Sequence, residues 1–125
     1  MNLAVQSNIF KLQDFMLQQE QAETETIHHF SEGIYARELR IPAGVCVVGA
    51  LHKTRHFMMV SKGRCSIATH EGAEIVEAPY MVETTPGIKR VIYAETDVVM
   101  TTFHVTNETD IDKIAEQILV PENIQ

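Results

Sequence analysis

The sequence predicts an all-β domain, an antiparallel barrel or sandwich with one helix before it and one after. Three observations lead there. Short runs rich in Val, Ile, Thr, Tyr and Phe fill the chain from about Ile27 to Thr106. Turn signals cut those runs at intervals of roughly 8 to 12 residues. No helical period long enough for a βαβ unit interrupts them. The turns fall at Ser31-Glu32-Gly33, Pro42-Ala43-Gly44, Ser61-Lys62-Gly63, Glu71-Gly72 and Thr85-Pro86-Gly87. About eight strands fit this spacing.

Each element has its own local reason. Between Ser7 and Gln21 the apolar residues Ile9, Phe10, Leu12, Phe15, Met16 and Leu17 recur at three-to-four spacing among Gln, Asp and Lys, as an amphipathic helix requires. Ala22 to Thr26 is polar and without period, and reads as a linker. The sharpest hairpin signal is Val60-Ser61-Lys62-Gly63-Arg64-Cys65, where Gly63 supplies the positive φ of a tight turn. At the other end Asp110 is placed to cap a helix from Ile111 to Leu119, with Ile111, Ile114, Ile118 and Leu119 on one face and Pro121 as its stop. The chain thus divides into a leading helix and linker (1–26), a β-barrel (27–106) and a closing helix and tail (107–125). At 125 residues and 14.1 kDa there is material for one hydrophobic core, so these are parts of a single domain.

Charge and composition exclude several function classes. Seventeen acidic against ten basic side chains leave a net charge of -7, which opposes general nucleic-acid binding. Lys53, Arg55, Lys62, Arg64, Lys89 and Arg90 nevertheless cluster in the middle of the chain, a pattern suited to a local pocket for a small anion. The longest apolar run, Val45 to Leu51, is far short of the roughly 20 residues a membrane-spanning helix needs. The N-terminus has neither the basic start nor the apolar stretch of a signal peptide, so a cytoplasmic location is expected. Cys46 and Cys65 lack CxxC spacing and are expected to be free, largely buried thiols.

The histidines carry the most chemistry. Alternate residues of a strand share a face, so His52, Thr54 and His56 point one way, together with Cys46, Val48 and Ala50 if the strand runs unbroken. This reads as an apolar pocket floor with two imidazoles near its rim. The same residues spell HxxxH, the helical zinc spacing, but Lys53 stands where a metalloprotease needs its Glu, and the flanks are β-forming. His104 lies in the strand Val98 to Val105, which is apolar on both faces; an imidazole buried there needs a partner, either a ligand or a neighbour such as Thr102. Arg90 shares a face with Ile92 and needs a carboxylate, Glu83 or Glu95, or a bound anion. His28, His29 and His70 are expected at solvated or edge positions.

These residues resemble the cupin superfamily, whose first motif has the form G(x)5HxH(x)3-4E(x)6G. Counting back from Gly63, its Glu position falls on His56 and its second His on His52, while Ala50 holds the first His position. In the second motif, G(x)5PxG(x)2H(x)3N, Gly87 matches the central Gly, Arg90 stands at the His position and Ala94 at the Asn. More closely, Gly33 to Leu39, Ile41-Pro42-Ala43-Gly44, His52-Lys53 with His56, Ser61-Lys62-Gly63, Pro86-Gly87 with Lys89-Arg90, and Thr101-Thr102 with His104 look like small cupin-like proteins of tailed bacteriophages and prophages. The resemblance implies a jelly-roll type antiparallel barrel. Three functions are then open. The first is a binding barrel in which His52, His56, Arg90 and His104 converge on a small anionic molecule, nucleotide-like or phosphorylated, as in sequestering a host signalling molecule. The second is a metal-dependent enzyme, dioxygenase- or isomerase-like, with iron, manganese, zinc or nickel on His52, His56 and His104. The third is a virion or tail component. A homodimer or higher homo-oligomer is expected, because the last strand and the two helices present apolar surface in need of cover.

Overall fold

The computed structural model describes residues 3–121 and consists of two facing antiparallel sheets with a helix at either end of the chain. Helix α1 (Leu3–Leu17) precedes nine strands: β1 (Glu25–Ser31), β2 (Ile34–Ile41), β3 (Cys46–Val48), β4 (His56–Lys62), β5 (Arg64–Thr69), β6 (Gly72–Glu77), β7 (Tyr80–Thr84), β8 (Val91–Ala94) and β9 (Val98–Val105). Helix α2 (Ile111–Ile118) follows. One sheet has the order β1-β2-β9-β4-β7 and the other β3-β8-β5-β6. Non-sequential neighbours in both sheets are the mark of a jelly roll. The strand count exceeds the expected eight by one, and β1 begins inside the expected linker, at Glu25.

The five expected turns are where the chain turns, and Gly33, Gly44, Gly63, Gly72 and Gly87 all have positive φ. At Gly63 the constraint is double. Its φ is 91°, and a Cβ there would run into the carbonyl of Asp97. Helix α1 ends at Leu17, four residues earlier than the pattern suggests, since the Gln21 amide folds back to donate to the carbonyls of Met16 and Gln19. Asp110 caps α2 as read from the sequence, accepting from the backbone of Asp112 and Lys113.

The main core fills the space between the sheets with Ile41, Met58, Val60, Cys65, Ile67, Val76, Ile92, Ala94, Val98 and Met100. A second, smaller cluster lies at the open end, where Ile114 and Ile118 of α2 pack on Tyr35. The closing helix therefore does more than pack outside the barrel: its apolar face covers the mouth. Both cysteines are free thiols. Among the described residues, no helix is long and apolar enough to cross a membrane.

Candidate functional site

Under α2 lies a cavity of about 480 Å³ between the two sheets, and His52, His56, Arg90 and His104 all line it. The strands explain two of the imidazoles directly. On β4 the inward positions are His56, Met58 and Val60; on β9 they are Val98, Met100, Thr102 and His104. The two strands are hydrogen-bonded neighbours with Phe57 opposite Phe103, so the imidazoles stand side by side. Their ring centroids are 4.6 Å apart.

His52 arrives differently from what strand parity predicts. β3 ends at Val48, and residues 49–55 run without a strand before β4 begins. The unbroken strand from Cys46 to His56 is therefore absent. Val47, opposite Ile92, packs on the main core and lines the cavity together with Val48 and Ala50, whereas Cys46, opposite Tyr93, does not line it. The turn at Gly49-Ala50, where Gly49 donates to the Arg90 carbonyl, resets the direction of the chain and still delivers His52 to the cavity. Its ring lies 4.3 Å from His56 and 5.5 Å from His104, centroid to centroid. One ligand-capable nitrogen from each of the three lies within 4.8 Å of the others, a spacing that a single ion can draw together.

Each ring is oriented through one nitrogen. His56 Nδ1 donates to the Thr54 carbonyl at 3.2 Å, His104 Nε2 meets the Thr102 hydroxyl at 2.9 Å, and His52 bonds to the backbone of Ala50. This is the outer-shell support that metal-binding imidazoles ordinarily have. The other nitrogen is then available, and His104 Nδ1 is buried with no partner among the described residues. Burial first, and then the neighbouring imidazoles, push His104 down to about 3; burial and the charge of His56 push His52 down to about 4. Burial also lowers His56. All three are thus neutral at ordinary pH, the form that binds metal. An anion drawn to His52, His56, Arg90 and His104 would therefore find its positive charge on arginine and not on the imidazoles.

Arg90 sits on the inner face beside Ile92, as its register predicts, but with neither expected carboxylate. Glu83 pairs with Arg55 at 2.6 Å and Glu95 with Arg64 at 2.7 Å, both on the outside. Arg90 instead donates to the Thr84 hydroxyl at 2.6 Å. A second arginine escaped the sequence reading. Arg37 lines the same cavity from β2, on the face of Tyr35, Leu39 and Ile41. Its signal was there to find, since it is the one charge on the apolar face of an alternating strand. His28 also departs from expectation. Although on the edge strand β1, it lines the cavity and its Nδ1 lies 2.6 Å from the Tyr35 hydroxyl. His29 pairs with Glu38 and His70 with Glu71, both away from the cavity.

No protein-family model matches this sequence, and no protein of curated function does. Solved structures match it in fold. A cupin superfamily protein from Desulfitobacterium hafniense superposes with a TM-score of 0.57 over 70% of this chain and 81% of that one, at 8% identity. A cupin-2 domain containing protein from Shewanella frigidimarina gives 0.52 over 77% and 92%, at 14% identity. A salicylate 1,2-dioxygenase from Pseudaminobacter salicylatoxidans gives 0.63 over 94% of this chain at 12% identity, and only 35% of that longer chain is covered. The fold is that of the cupins.

Proposed function

We propose that this protein is a metal-centred, small-molecule-binding cupin-like barrel, in which His52, His56 and His104 hold a divalent transition metal and a small anionic molecule binds beside it. The observation that carries the reading is the unpartnered Nδ1 of His104. Its residue is only 2% exposed, and leaving such a nitrogen dry and unbonded costs on the order of 1 to 3 kcal/mol unless a ligand takes it. Three neutral imidazoles with free nitrogens suit iron, zinc or nickel, and also manganese less strongly. Three protein ligands leave positions open to a small molecule.

Bound there, the metal would supply Lewis-acid polarisation and, in the case of iron, chemistry with dioxygen. The chain's own residues set the rest. No Asp or Glu among the described residues lines the cavity, so the protein brings no carboxylate base. Arg37 and Arg90 supply the attraction for an anion, and α2 keeps bulk water out. The likeness to a salicylate dioxygenase supports a catalytic version of this reading. The likeness to phage proteins supports a version in which the barrel retains a host metabolite unchanged. Turnover of a bound acid separates the two.

Protein purified without chelators, analysed by native mass spectrometry together with elemental analysis, is expected to carry one transition metal per chain, lost in His104→Ala. Protein that is metal-free and takes up none of Fe(II), Mn, Ni or Zn at micromolar concentration would overturn the reading.

The homodimer is likewise a proposal. The outer face of the five-stranded sheet joins Ile34, Phe57, Met81 and Val105, between 47% and 88% exposed, in one band across β2, β9, β4 and β7. Such a band is what a two-fold contact covers. Sedimentation should give twice the chain mass of 14.1 kDa. A monomer contradicts the proposal, and larger assemblies point to a virion component.

A further inference from the structure

We infer that the ligand of this cavity is an organic diacid, held by Arg37 at one end and Arg90 at the other across a short apolar body. The inference rests on the reading above only in placing a ligand in the three-histidine cavity; the substrate class comes from the two arginines and the walls between them.

The arginines belong to different sheets. Arg37 projects inward from β2, opposite His28 on one neighbouring strand and Thr102 on the other. It is exposed at the mouth, and among the described residues no carboxylate pairs with it. The adjacent Glu38 points to the opposite face, where His29 and Arg40 occupy it at 3.0 and 2.7 Å. Arg90 enters from the second sheet just before β8, and its one hydrogen bond among the described residues, to Thr84, uses one of five donors. Glu83 and Glu95 pair with other arginines, and Glu71 and Glu74 reach Arg90 only through their charge, from a second pocket that it also lines. Two guanidinium forks thus line the three-histidine cavity with no carboxylate hydrogen-bonded to either among the described residues. A guanidinium fork matches a carboxylate in two parallel hydrogen bonds.

Both arginines line the cavity that holds the three imidazoles, Arg37 from β2 of one sheet and Arg90 from the residue before β8 of the other. With no acid lining the cavity, a monoanion would leave one fork unmatched and a dianion satisfies both. The space between is walled by Leu39, Val47, Ile88 and Ile92, which favours a hydrocarbon body. A nucleotide fits poorly. Its base needs an aromatic face to stack on, and Tyr35 is already enclosed by Phe30 and His104 with ring separations of 5.3 and 5.9 Å.

The test is calorimetric titration of the metal-loaded protein with straight-chain α,ω-dicarboxylates from malonate to adipate, with the monocarboxylates of equal length, and with adenosine monophosphate. The best dicarboxylate should bind at least tenfold more tightly than its monocarboxylate. Arg37→Gln, an exposed position whose change leaves the fold intact, should erase that difference, and Arg37→Lys should restore only part of it because the fork is lost. Arg90→Lys should act likewise. Equal affinity for mono- and dicarboxylates, a preference untouched by Arg37→Gln, or tighter binding of the nucleotide would overturn the inference. Metal content measured on the same samples keeps the two proposals apart: full loading without diacid preference defeats this one alone, and diacid preference without metal uptake defeats the other.

Discussion

His56 and His104 stand on neighbouring strands, whereas His52 stands on none. The first two are built into the middle of the five-stranded sheet, where β4 and β9 pair along most of their length over the main core. Such positions open only when the whole domain unfolds. His52 hangs from contacts made by the other end of the chain. The backbone of Lys53 donates to the Ile118 carbonyl, that of Val120 donates to the Leu51 carbonyl, and both distances are 2.9 Å. The Gly87 amide adds a longer bond of 3.3 Å to His52 itself. The third imidazole is therefore positioned by α2 and the residues after it, and those are held by the small cluster on Tyr35. Two of the proposed ligands come with the fold and the third depends on α2. On the proposed function, metal binding and docking of α2 are thermodynamically linked, each favouring the other.

The strongest way to break this contrast is to loosen the lid. Ile114→Ala combined with Ile118→Ala removes both buried contacts of α2, at about 2 kcal/mol or more each. Hydrogen exchange should then accelerate in residues 49–55 and 111–120 while β4 and β9 stay protected, and metal affinity should fall by more than tenfold. Unchanged protection of residues 49–55 would show that His52 does not depend on the helix.

Acid should reveal the same asymmetry. The two lowest imidazoles lie near 4 and 3 when folded, against an ordinary value of 6.5, so between pH 6.5 and pH 3 the unfolded chain holds more protons. Stability of the metal-free protein is thus complete above pH 6.5 and declines as pH falls through that window, by at most about 3 to 5 kcal/mol per group. His52 can take up its proton by releasing the lid, whereas His104 cannot. Exchange at pH 5 should therefore open α2 before the sheet, and the melting temperature should fall further only below that.

A smaller effect of opposite sign is expected at His104. Replacing it with Leu removes a buried nitrogen without a partner, so the metal-free protein should melt a few degrees higher, about 1 kcal/mol, while metal binding is lost. A lower melting temperature without metal would mark His104 as a packing residue. The smallest change is Val120→Pro, which deletes only the amide that reaches Leu51. At about 0.5 to 1.5 kcal/mol it should weaken metal binding by up to roughly tenfold and leave circular dichroism unchanged.

What could be read in the sequence was what local geometry decides. Turn chemistry marked the five glycine turns, the cost of burying an imidazole marked His104 as a residue in need of a partner, and Asp110 announced the start of α2. Strand parity failed at Cys46, because it holds only while a strand continues, and β3 is three residues long. Arg37 was legible in principle as a charge on an apolar face, but alternation alone does not say whether that face looks into a cavity.

The sequence by itself determined the all-β class and the helix at each end, since each follows from neighbours within a few positions. Only the tertiary structure decided that His52, His56 and His104 meet, that Arg37 and Arg90 line one cavity with them, and that α2 packs over it. Those outcomes rest on bonds between residues far apart in the chain, such as Val120 to Leu51, and on which strands pair. Side-chain period records on which side of a strand a residue lies; the partner it meets there is set by how distant segments bury their apolar faces together.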